Sequence, residues 1–375
     1  MKKILVFDHS AVVDLYRERE RILKNKFGYD IEMVIPFHWM EGSKDTKANK
    51  NDYFKIYLAS TFLTNNVPLF IYNPFTVIKA LLKSKPDIID IHEEPYSLSC
   101  IEIIFLKSIF SRKSKVVFYS AQNILKRYPF PFNLFEKIAY KCSKAAYTCS
   151  SEVTSVLIKK GYKKKIMEIP LGIDEKLYRP GIDIEDINKK YDLDSFTIGF
   201  IGRIEYQKGI FDLIEALNLM KEYKWKCIIV GNGSSLSDVK KKVEEYWLAD
   251  RVIFTGAVVP EDIPLYMNAM DVLIVPSRTT SNWKEQFGRV IAEAMACGLP
   301  VIGSDSGAIP EVIGSGGVIF KEGDIDGLKN SMIKLMENKE YRERLKKNAL
   351  EKVKQYSWNS ISRQFDELYS YIIKE

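Results

Sequence analysis

The sequence is short of cysteine and of long apolar runs, and both shortages exclude classes of protein. Its five cysteines are odd in number and none forms a Cys-x-x-Cys pair, which argues against a disulfide framework and a structural zinc site. No stretch approaches the roughly eighteen uninterrupted apolar residues of a membrane-spanning helix. Residues 1–7 begin like an export signal but reach Asp8 after four apolar residues, too few for a signal peptide. These features predict a cytoplasmic protein.

Standard phosphate, nucleophile and metal motifs are missing as well. The chain contains no Gly-x-x-x-x-Gly-Lys-Ser/Thr, no Gly-x-Gly-x-x-Gly and no Gly-x-Ser-x-Gly, so a P-loop, a fingerprint dinucleotide site and a nucleophile elbow are not expected. It has three histidines, and no cluster of His, Cys or Glu has zinc spacing. The Asp-x-Asp pairs at residues 192–194 and 324–326 are interpreted as helix caps. We therefore predict no metal site.

The net charge of +7 hides a division along the chain. Residues 1–170 carry 28 basic and 17 acidic side chains, whereas the remainder carries 28 and 32. At about 150 residues per domain, a chain of 375 residues suggests two domains, and their opposite net charges suggest different partners. A basic surface can serve nucleic acid, an anionic membrane or a phosphorylated small molecule, so charge alone does not choose between them.

Short apolar runs alternate with amphipathic segments of helical length. The predicted strands cover residues 4–7, 33–35, 88–91, 116–119, 145–148, 197–201, 227–230, 252–254, 272–275, 301–302 and 318–320. Such alternation predicts parallel sheets covered by helices on both faces, hence an α/β fold with two doubly wound domains. Pro170 and Gly172 mark the boundary between the domains. Residues 328–375 are helical in pattern, with a break near Tyr356.

Polar residues and glycines follow several predicted strands, where open α/β sheets bind ligands. After the first strand of the second half, Gly202 and Arg203 precede Lys208 at the start of a predicted helix. A helix amino terminus already carries positive partial charge, so two cations there favour a bound anion such as phosphate. The alternative is a solvated loop with two surface cations. Gly231 and Gly233 follow the next strand and either let a ligand approach closely or form a turn.

Two glutamates surround the start of another predicted helix. Glu285 and Glu293 are eight residues apart and would lie about 80° apart on one helix, so we place Glu285 in a loop and Glu293 within the helix. Glu293 has apolar neighbours, and a carboxylate there is costly unless hydroxyls or other donors satisfy it. Gly288, at the helix start, would expose backbone N–H groups suited to a diphosphate. The alternative is a helix cap and a surface glutamate.

In the first half, three polar residues lie at strand ends. His92 directly follows the strand at residues 88–91, His9 follows the first strand, and Asn123 follows the strand at residues 116–119. Each histidine could instead be a hydrogen-bonded structural residue, and Asn123 could belong to a turn. The position of His92 at a strand end favours its facing a cleft.

The second half contains a series of motifs in a fixed order. They are Pro170-Leu-Gly-Ile-Asp174, Gly202-Arg203, Lys208-Gly209, Gly231-x-Gly233, Pro276-Ser277, Glu285-x-Phe287-Gly288, Glu293-Ala-Met-Ala296-x-Gly298-x-Pro300, Pro310-Glu311 and Tyr356-Ser-Trp358. Together they closely resemble the signature of glycosyltransferase family 4, the glycosyl transferases group 1. The resemblance is dense from about Ile169 to the carboxyl terminus and sparse before it.

The resemblance implies a GT-B architecture of two facing Rossmann-like domains. Residues 1–170 would bind the acceptor, residues 171–356 would bind the nucleotide-sugar donor, and a helix at residues 357–375 would cross back to the first domain. It also implies a hexosyltransferase that uses a UDP-, GDP- or ADP-sugar, retains the anomeric configuration, and needs neither a metal nor another cofactor. The acceptor would be a sugar or a lipid-linked sugar.

The resemblance also assigns roles to matching residues. Arg203 and Lys208 would bind the diphosphate, Glu285 would contact hydroxyls of the transferred sugar, and His92 would lie near the reacting sugar. Glu293 would hold the ribose hydroxyls. The other expected donor-binding residues are Gly202, Gly231, Gly233, Phe287, Gly288 and Arg289. Selection of the base is expected near residues 256–260.

The first domain departs from the family and leaves alternatives open. Many relatives have a glycine-rich loop after the first strand, where this chain has Asp8-His9-Ser10-Ala11. His9, Ser10 and Asn123 are acceptor-side candidates. Residues 124–135 interleave aromatics with cations and either rest on an anionic membrane surface, which would make the protein peripheral on the inner face of the membrane, or pack under a loop.

Three rival functions remain open from the sequence. A GT-B nucleotide-sugar epimerase or phosphorylase would share the architecture. A basic nucleic-acid-binding module is the non-enzymatic alternative, but the basic residues are scattered along the sequence and no binding motif occurs, so no nucleic-acid partner is expected.

Overall fold

Two parallel sheets organise the chain, one in each of two units. The computed structural model describes residues 2–41, 44–63 and 66–375. The first unit comprises Met1–Gly172 and Trp358–Glu375, and the second comprises Ile173–Ser357. The predicted α/β class, with helices covering two parallel sheets, is confirmed.

The sheet of the first unit has seven parallel strands in the order β11-β10-β9-β8-β1-β2-β5, and four short strands form two antiparallel hairpins. The strands are β1 (Lys3–Phe7), β2 (Asp30–Pro36), β3 (His38–Glu41), β4 (Lys44–Lys47), β5 (Lys55–Ala59), β6 (Thr61–Phe62), β7 (Ile71–Tyr72), β8 (Ile88–Ile91), β9 (Lys115–Ser120), β10 (Ala145–Thr148) and β11 (Lys165–Glu168). The strand order reverses at β1, which lies between β2 and β8, so a ligand crevice is expected at its carboxyl end.

Helices cover both faces of this first sheet. They are α1 (Glu18–Phe27), α2 (Pro74–Ser84), α3 (Leu98–Phe110), α4 (Phe132–Cys142) and α5 (Ser151–Lys159). Side chains of α2, α3 and α4 share one core with Leu5, Phe7 and Phe118, while α1 contributes to a second core with Ile4 and Val6. Successive residues of β1 thus enter opposite cores, as the pleat of a buried strand requires.

The second unit contains a six-stranded parallel sheet in the order β14-β13-β12-β15-β16-β17. Its strands are β12 (Phe196–Ile201), β13 (Trp225–Val230), β14 (Val252–Gly256), β15 (Val272–Val275), β16 (Val301–Ser304) and β17 (Gly317–Phe320). Its helices are α6 (Glu185–Tyr191), α7 (Ile210–Asn218), α8 (Leu236–Glu245), α9 (Ile263–Asn268), α10 (Arg289–Ala296), α11 (Ile309–Ile313), α12 (Ile325–Glu337) and α13 (Lys339–Val353). The strand order reverses at β12, which lies between β13 and β15.

The last helix, α14 (Trp358–Lys374), belongs to the first unit. Its buried residues Ile361, Phe365, Leu368, Tyr369 and Ile372 recur at helical spacing and join the core that holds α1. The last helix of the chain therefore packs against the first sheet, as the family resemblance implied. In the part of the chain that the structure describes, no helix is both long enough and apolar enough to cross a bilayer.

One helix boundary and six strands were not predicted: the sheet strands β5 and β11 and the hairpin strands β3, β4, β6 and β7. β5 and β11 lie at the two edges of the first sheet, where one side is unpaired and little apolar content is needed. Strand β11 begins at Lys165. The helical pattern of residues 328–375 is also interrupted at Asn338, whose side chain accepts a hydrogen bond from the Tyr341 N–H and caps α13.

Candidate functional site

The carboxyl edge of the second sheet brings together loops that follow β12, β15 and β16. Lys208 ends a short 3-10 turn, and Gly209 then begins α7 with φ of +69°. A Cβ on Gly209 would lie 1.7 Å from the carbonyl oxygen of Pro276, so only glycine allows this contact between the β12 and β15 loops. The close approach places Lys208 beside the residues that follow β15.

Glu285 is the point on which these loops converge. Its Oε2 lies 2.8 Å from Lys208 Nζ and accepts a hydrogen bond of 3.2 Å from the Ser277 hydroxyl. Its backbone carbonyl accepts from the Ala308 N–H, which follows β16. The Lys208 ammonium also lies 4.6 Å from the centre of the Trp283 ring. The structure thus joins Lys208 and Glu285, which are 77 residues apart in the sequence, in a partly buried ion pair at the predicted edge.

Arg203 lies in the same β12 loop but is held less firmly. Its side chain is 66% exposed and its Nη1 lies 3.3 Å from Glu205 Oε1. Glu205 also accepts from the Gln207 amide. Because an exposed ion pair of this kind contributes little to stability, the guanidinium remains available to an arriving anion.

The glycines after β12 and β13 pack the two loops against each other. A Cβ on Gly231 would lie 1.9 Å from the Gly202 carbonyl oxygen, and one on Gly233 would lie 2.2 Å from that of Ile204. Gly231 and Gly233 therefore allow the backbone of the β12 loop, rather than a ligand, to approach them closely. A Cβ on Gly202 would meet nothing within 4 Å, so this glycine borders open space.

The helix α10 begins at Arg289, directly after its N-cap Gly288, and contains Glu293, so Glu285 lies in the loop and Glu293 within the helix, as predicted. Burial raises the pKa of Glu293, and the charge of Arg289 and a hydrogen bond with Tyr178 oppose that effect. Tyr178, from the segment after the domain boundary, thus supplies a donor that the sequence did not reveal. Phe287 is buried with its ring edge-on to Tyr356, 5.5 Å between centres.

Trp283 and Arg278 are further residues of this edge that sequence reasoning did not single out, whereas Ser277 belongs to the Pro276-Ser277 motif. Arg278 donates two hydrogen bonds of 2.7 Å to the Asp212 carboxylate in α7, which fixes the β15 loop to that helix. Within residues 2–41, 44–63 and 66–375, no group of three or more His, Cys, Asp or Glu side chains is arranged to hold a metal ion.

In the first unit, His92 lies at the carboxyl end of β8. Its ring stacks on Tyr119 at 4.1 Å with 6° between the planes, and its Nδ1 lies 2.9 Å from the Tyr147 hydroxyl. Burial lowers the pKa of His92 to about 4, although the nearby carboxylates of Asp8 and Asp90 oppose the shift. The imidazole is therefore neutral at physiological pH.

His9 and Ser10 are both tied to carboxylates. His9 Nδ1 lies 2.7 Å from Glu93 Oε2, and its backbone N–H donates to Glu93 Oε1. Ser10 donates its hydroxyl and its N–H to Asp8 Oδ1. Burial acts to raise the pKa of Asp8, but the histidines His92 and His9 together with the Ser10 hydroxyl lower it overall. His9, Ser10 and His92 thus surround Asp8 at the end of β1.

Asn123 is more buried than the other two acceptor-side candidates, His9 and Ser10. It is buried, and its side-chain amide donates to Glu152 Oε2 in α5 at 3.1 Å. This contact fixes the loop after β9 to α5.

Comparisons with known proteins agree with this architecture. The profile of the glycosyl transferases group 1 matches residues 183–352. The N-acetyl-alpha-D-glucosaminyl L-malate synthase of Bacillus anthracis is 28% identical over 218 residues, which cover 56% of this chain and 55% of the relative. The chain spans about half the length of the first curated relatives it matches.

Solved structures with the same fold cover nearly the whole chain. A glycosyltransferase from Rickettsia africae superposes with a TM-score of 0.78 at 18% identity, covering 100% of this chain and 99% of its own. HepE of Anabaena, solved in complex with UDP and glucose, superposes with a TM-score of 0.75 at 19% identity, covering 99% of this chain and 100% of its own. The fold is thus of the GT-B type, and residues 183–352 are similar to the group 1 glycosyltransferases.

Proposed function

We propose that this protein transfers a hexose from a nucleotide-diphosphate-sugar to a glycan or lipid-linked acceptor, with retention of configuration and without a metal or other cofactor. The observation that carries the proposal is the Lys208–Glu285 pair at the carboxyl edge of the second sheet. The cation suits a diphosphate, and the carboxylate suits sugar hydroxyls. The similarity of residues 183–352 to the group 1 glycosyltransferases supports the same reaction.

In the proposed mechanism, Lys208 and Arg203 neutralise the charge that develops on the leaving diphosphate. Glu285 orients Lys208 and accepts from hydroxyls of the transferred sugar, while Glu293 accepts from the ribose hydroxyls. The raised pKa of Glu293 fits a carboxyl that is stabilised when hydroxyls reach it.

We further propose same-face attack as the route to retention. Double displacement would need a carboxylate free to attack the sugar, whereas Glu285 is already engaged by Lys208 and Ser277. The leaving phosphate then assists deprotonation of the acceptor. A covalent sugar adduct on the protein, detected by mass spectrometry during turnover, would contradict this route.

A thermal-shift screen with UDP-, GDP- and ADP-glucose tests the donor. HepE was solved with UDP, so UDP-glucose is the first probe. We expect one donor, at about 100 times its dissociation constant, to stabilise the protein by about 2.7 kcal/mol and raise the melting temperature by roughly 5–10 °C. EDTA should leave this shift unchanged.

The thermal-shift screen and two further assays, of nucleotide release and of oligonucleotide binding, separate the proposal from its rivals. Release of the nucleoside diphosphate only when an acceptor is present would support transfer over epimerisation or phosphorolysis. No shift with any of the three donors, in a protein whose melting transition is otherwise normal, would contradict the donor assignment. Binding of an oligonucleotide that falls steeply with salt would support the nucleic-acid alternative.

For the acceptor, we propose that the first unit rests on an anionic membrane surface. In the segment at residues 124–135, Leu125 and Phe130 are exposed, the latter by 78%, whereas Tyr128 is packed against Tyr96 with ring centres 4.0 Å apart. Part of the segment is therefore covered and part is free to contact lipid. Neighbouring Lys126 and Arg127 suit anionic headgroups.

Vesicle co-sedimentation tests this membrane proposal. Wild-type protein should sediment with phosphatidylglycerol vesicles and not with phosphatidylcholine vesicles, and Phe130→Ser should reduce the bound fraction several-fold. Trp247→Ser is the matched control, because Trp247 is an 89% exposed aromatic of the second unit. Equal binding of Phe130→Ser and wild type, or no binding at low salt, would contradict the proposal.

A further inference from the structure

A buried carboxylate beneath His92 is held by two tyrosine hydroxyls. Asp90, in β8, is fully buried. Its Oδ1 accepts a hydrogen bond of 2.8 Å from Tyr147 in β10, and its Oδ2 accepts one of 2.6 Å from Tyr369 in α14. The Arg19 guanidinium lies 3.5 Å from the same Oδ2. The Asp90 carboxylate is thus an acceptor surrounded by donors.

Counting protons fixes the direction of each hydrogen bond. A phenol has one proton, and burial raises the pKa of Tyr147 and Tyr369 well above the ordinary value, so both keep it. Each gives that proton to Asp90. Arg19, which also contacts the Tyr147 hydroxyl, can only donate. The Tyr147 oxygen therefore has lone pairs left but no proton for His92.

We infer that Tyr147 and Asp90 hold His92 as the Nδ1–H tautomer, with the Nε2 lone pair directed to a ligand. His92 Nδ1 lies 2.9 Å from the Tyr147 oxygen, so it must donate. Nε2 has no hydrogen-bond partner among the residues that the structure describes and is not among their buried unpartnered polar atoms, so it is accessible. Tyr119, stacked on the ring, prevents the imidazole from tilting.

The register of the sheet produces this arrangement. Asp90 and His92 are two residues apart and so lie on the same face of β8, and Tyr147 pairs directly with Tyr119 across β10 and β9. Tyr369, which donates the second hydrogen bond to Asp90, comes from α14 near the end of the chain. Tyr147 and Asp90 are positioning residues, since they act on a ligand only through His92.

The arrangement gives His92 one defined chemical role. A neutral imidazole with its Nε2 unprotonated accepts a hydrogen bond from a hydroxyl and donates none. This inference rests on the proposed function for the role of His92 beside a sugar, and it specifies the recognised group as a hydroxyl donor. The opposite tautomer would present an N–H and would favour an acceptor such as a phosphate oxygen instead.

Nitrogen NMR of the histidine side chains tests the tautomer without any substrate. The sequence has three histidines, so ¹⁵N-histidine labelling gives three ring systems, and His38→Ala and His9→Ala assign two of them. We expect His92 to show a protonated Nδ1 and an unprotonated Nε2 at pH 7. In Tyr147→Phe, which deletes only the bridging hydroxyl, at least half of the population should shift to the Nε2–H form.

Tyr369→Phe is the matched control for a general loss of packing. It removes the other hydroxyl from Asp90 but leaves the Tyr147–His92 contact, so the tautomer should remain Nδ1–H. A wild-type Nε2–H tautomer, or equal shifts in both variants, would overturn the inference. The NMR measurement needs no nucleotide-sugar. A negative NMR result would therefore contradict the tautomer assignment without contradicting the proposed function. An NMR result as expected, with no donor binding by the protein, would preserve the tautomer assignment and reject only the sugar as ligand.

Discussion

Lys208→Ala is expected to lower the rate of sugar transfer by about 10²–10³-fold, because a cation aimed at developing negative charge contributes on that scale. The loss should appear in kcat, since the interaction strengthens as the leaving diphosphate gains charge. Folding should survive, because the Lys208 side chain is partly exposed and its contacts are with Glu285 and the Trp283 ring, both in the same loop. Release of UDP from UDP-glucose in the presence of acceptor measures the change.

Lys224→Ala is the matched control for this substitution. It removes another lysine of the second unit from a 2.8 Å ion pair, with Asp194, but the residue precedes β13 and lies away from the carboxyl edge. Its rate should equal that of the wild type. Near-normal turnover in Lys208→Ala would refute the assignment of this edge as the donor site.

Arg19→Ala is expected to lower the free energy of unfolding of the first unit by about 3–5 kcal/mol, because removing one partner of a buried ion pair leaves a buried charge uncompensated. Arg19 is 5% exposed, donates to Glu20 at 2.6 Å, lies beside Asp90 and stacks on Phe365 in α14. Native-state hydrogen exchange of the β1 and β8 amides measures the loss.

The pH dependence of the destabilisation in Arg19→Ala gives a second test of this prediction. Burial raises the pKa of Glu20 to about 7 in the folded protein, although Arg19 opposes the shift. Because this folded pKa exceeds the ordinary value of 4.5, the group binds more protons when folded, and its contribution to stability falls as the pH rises through 7. The destabilisation in Arg19→Ala should therefore be larger at pH 8 than at pH 5.

Arg112→Ala controls for the loss of an arginine from the same unit. Arg112 is exposed and its Nε bonds to the Ser108 carbonyl, so the change should stay within about 0.5 kcal/mol. An effect of Arg19→Ala no larger than that of Arg112→Ala would contradict the role of the buried pair.

The sequence predicted the strands of both sheets where burial on two sides demands continuous apolar residues. The strands β8, β10 and β15 match their predicted residues at both ends. The edge strands β5 and β11 were missed because an edge tolerates lysines and one polar face. Their position depends on pairing with β2 and β10, which no local pattern reveals.

The candidate site was predictable in its residues but not in its pairings. Strand-end placement identified Lys208 and Glu285, yet their 2.8 Å contact depends on the loop approach at Gly209. Tyr178 and Tyr147 were missed because each forms its hydrogen bond with a residue more than 50 positions away in the sequence. Tyr147 is 55 residues from His92. A tyrosine in an apolar strand resembles any other core aromatic until its hydroxyl is located.

The return of α14 to the first unit has a consequence for biosynthesis. The core that contains β1 also contains Leu368 and Ile372, so the earliest residues made cannot reach their final packing until the last helix has emerged from the ribosome. Meanwhile the second unit can form independently in the middle of the chain. The part of the first sheet that α14 covers therefore stays exposed while the second unit is being made, and during this interval it is open to aggregation or chaperone capture.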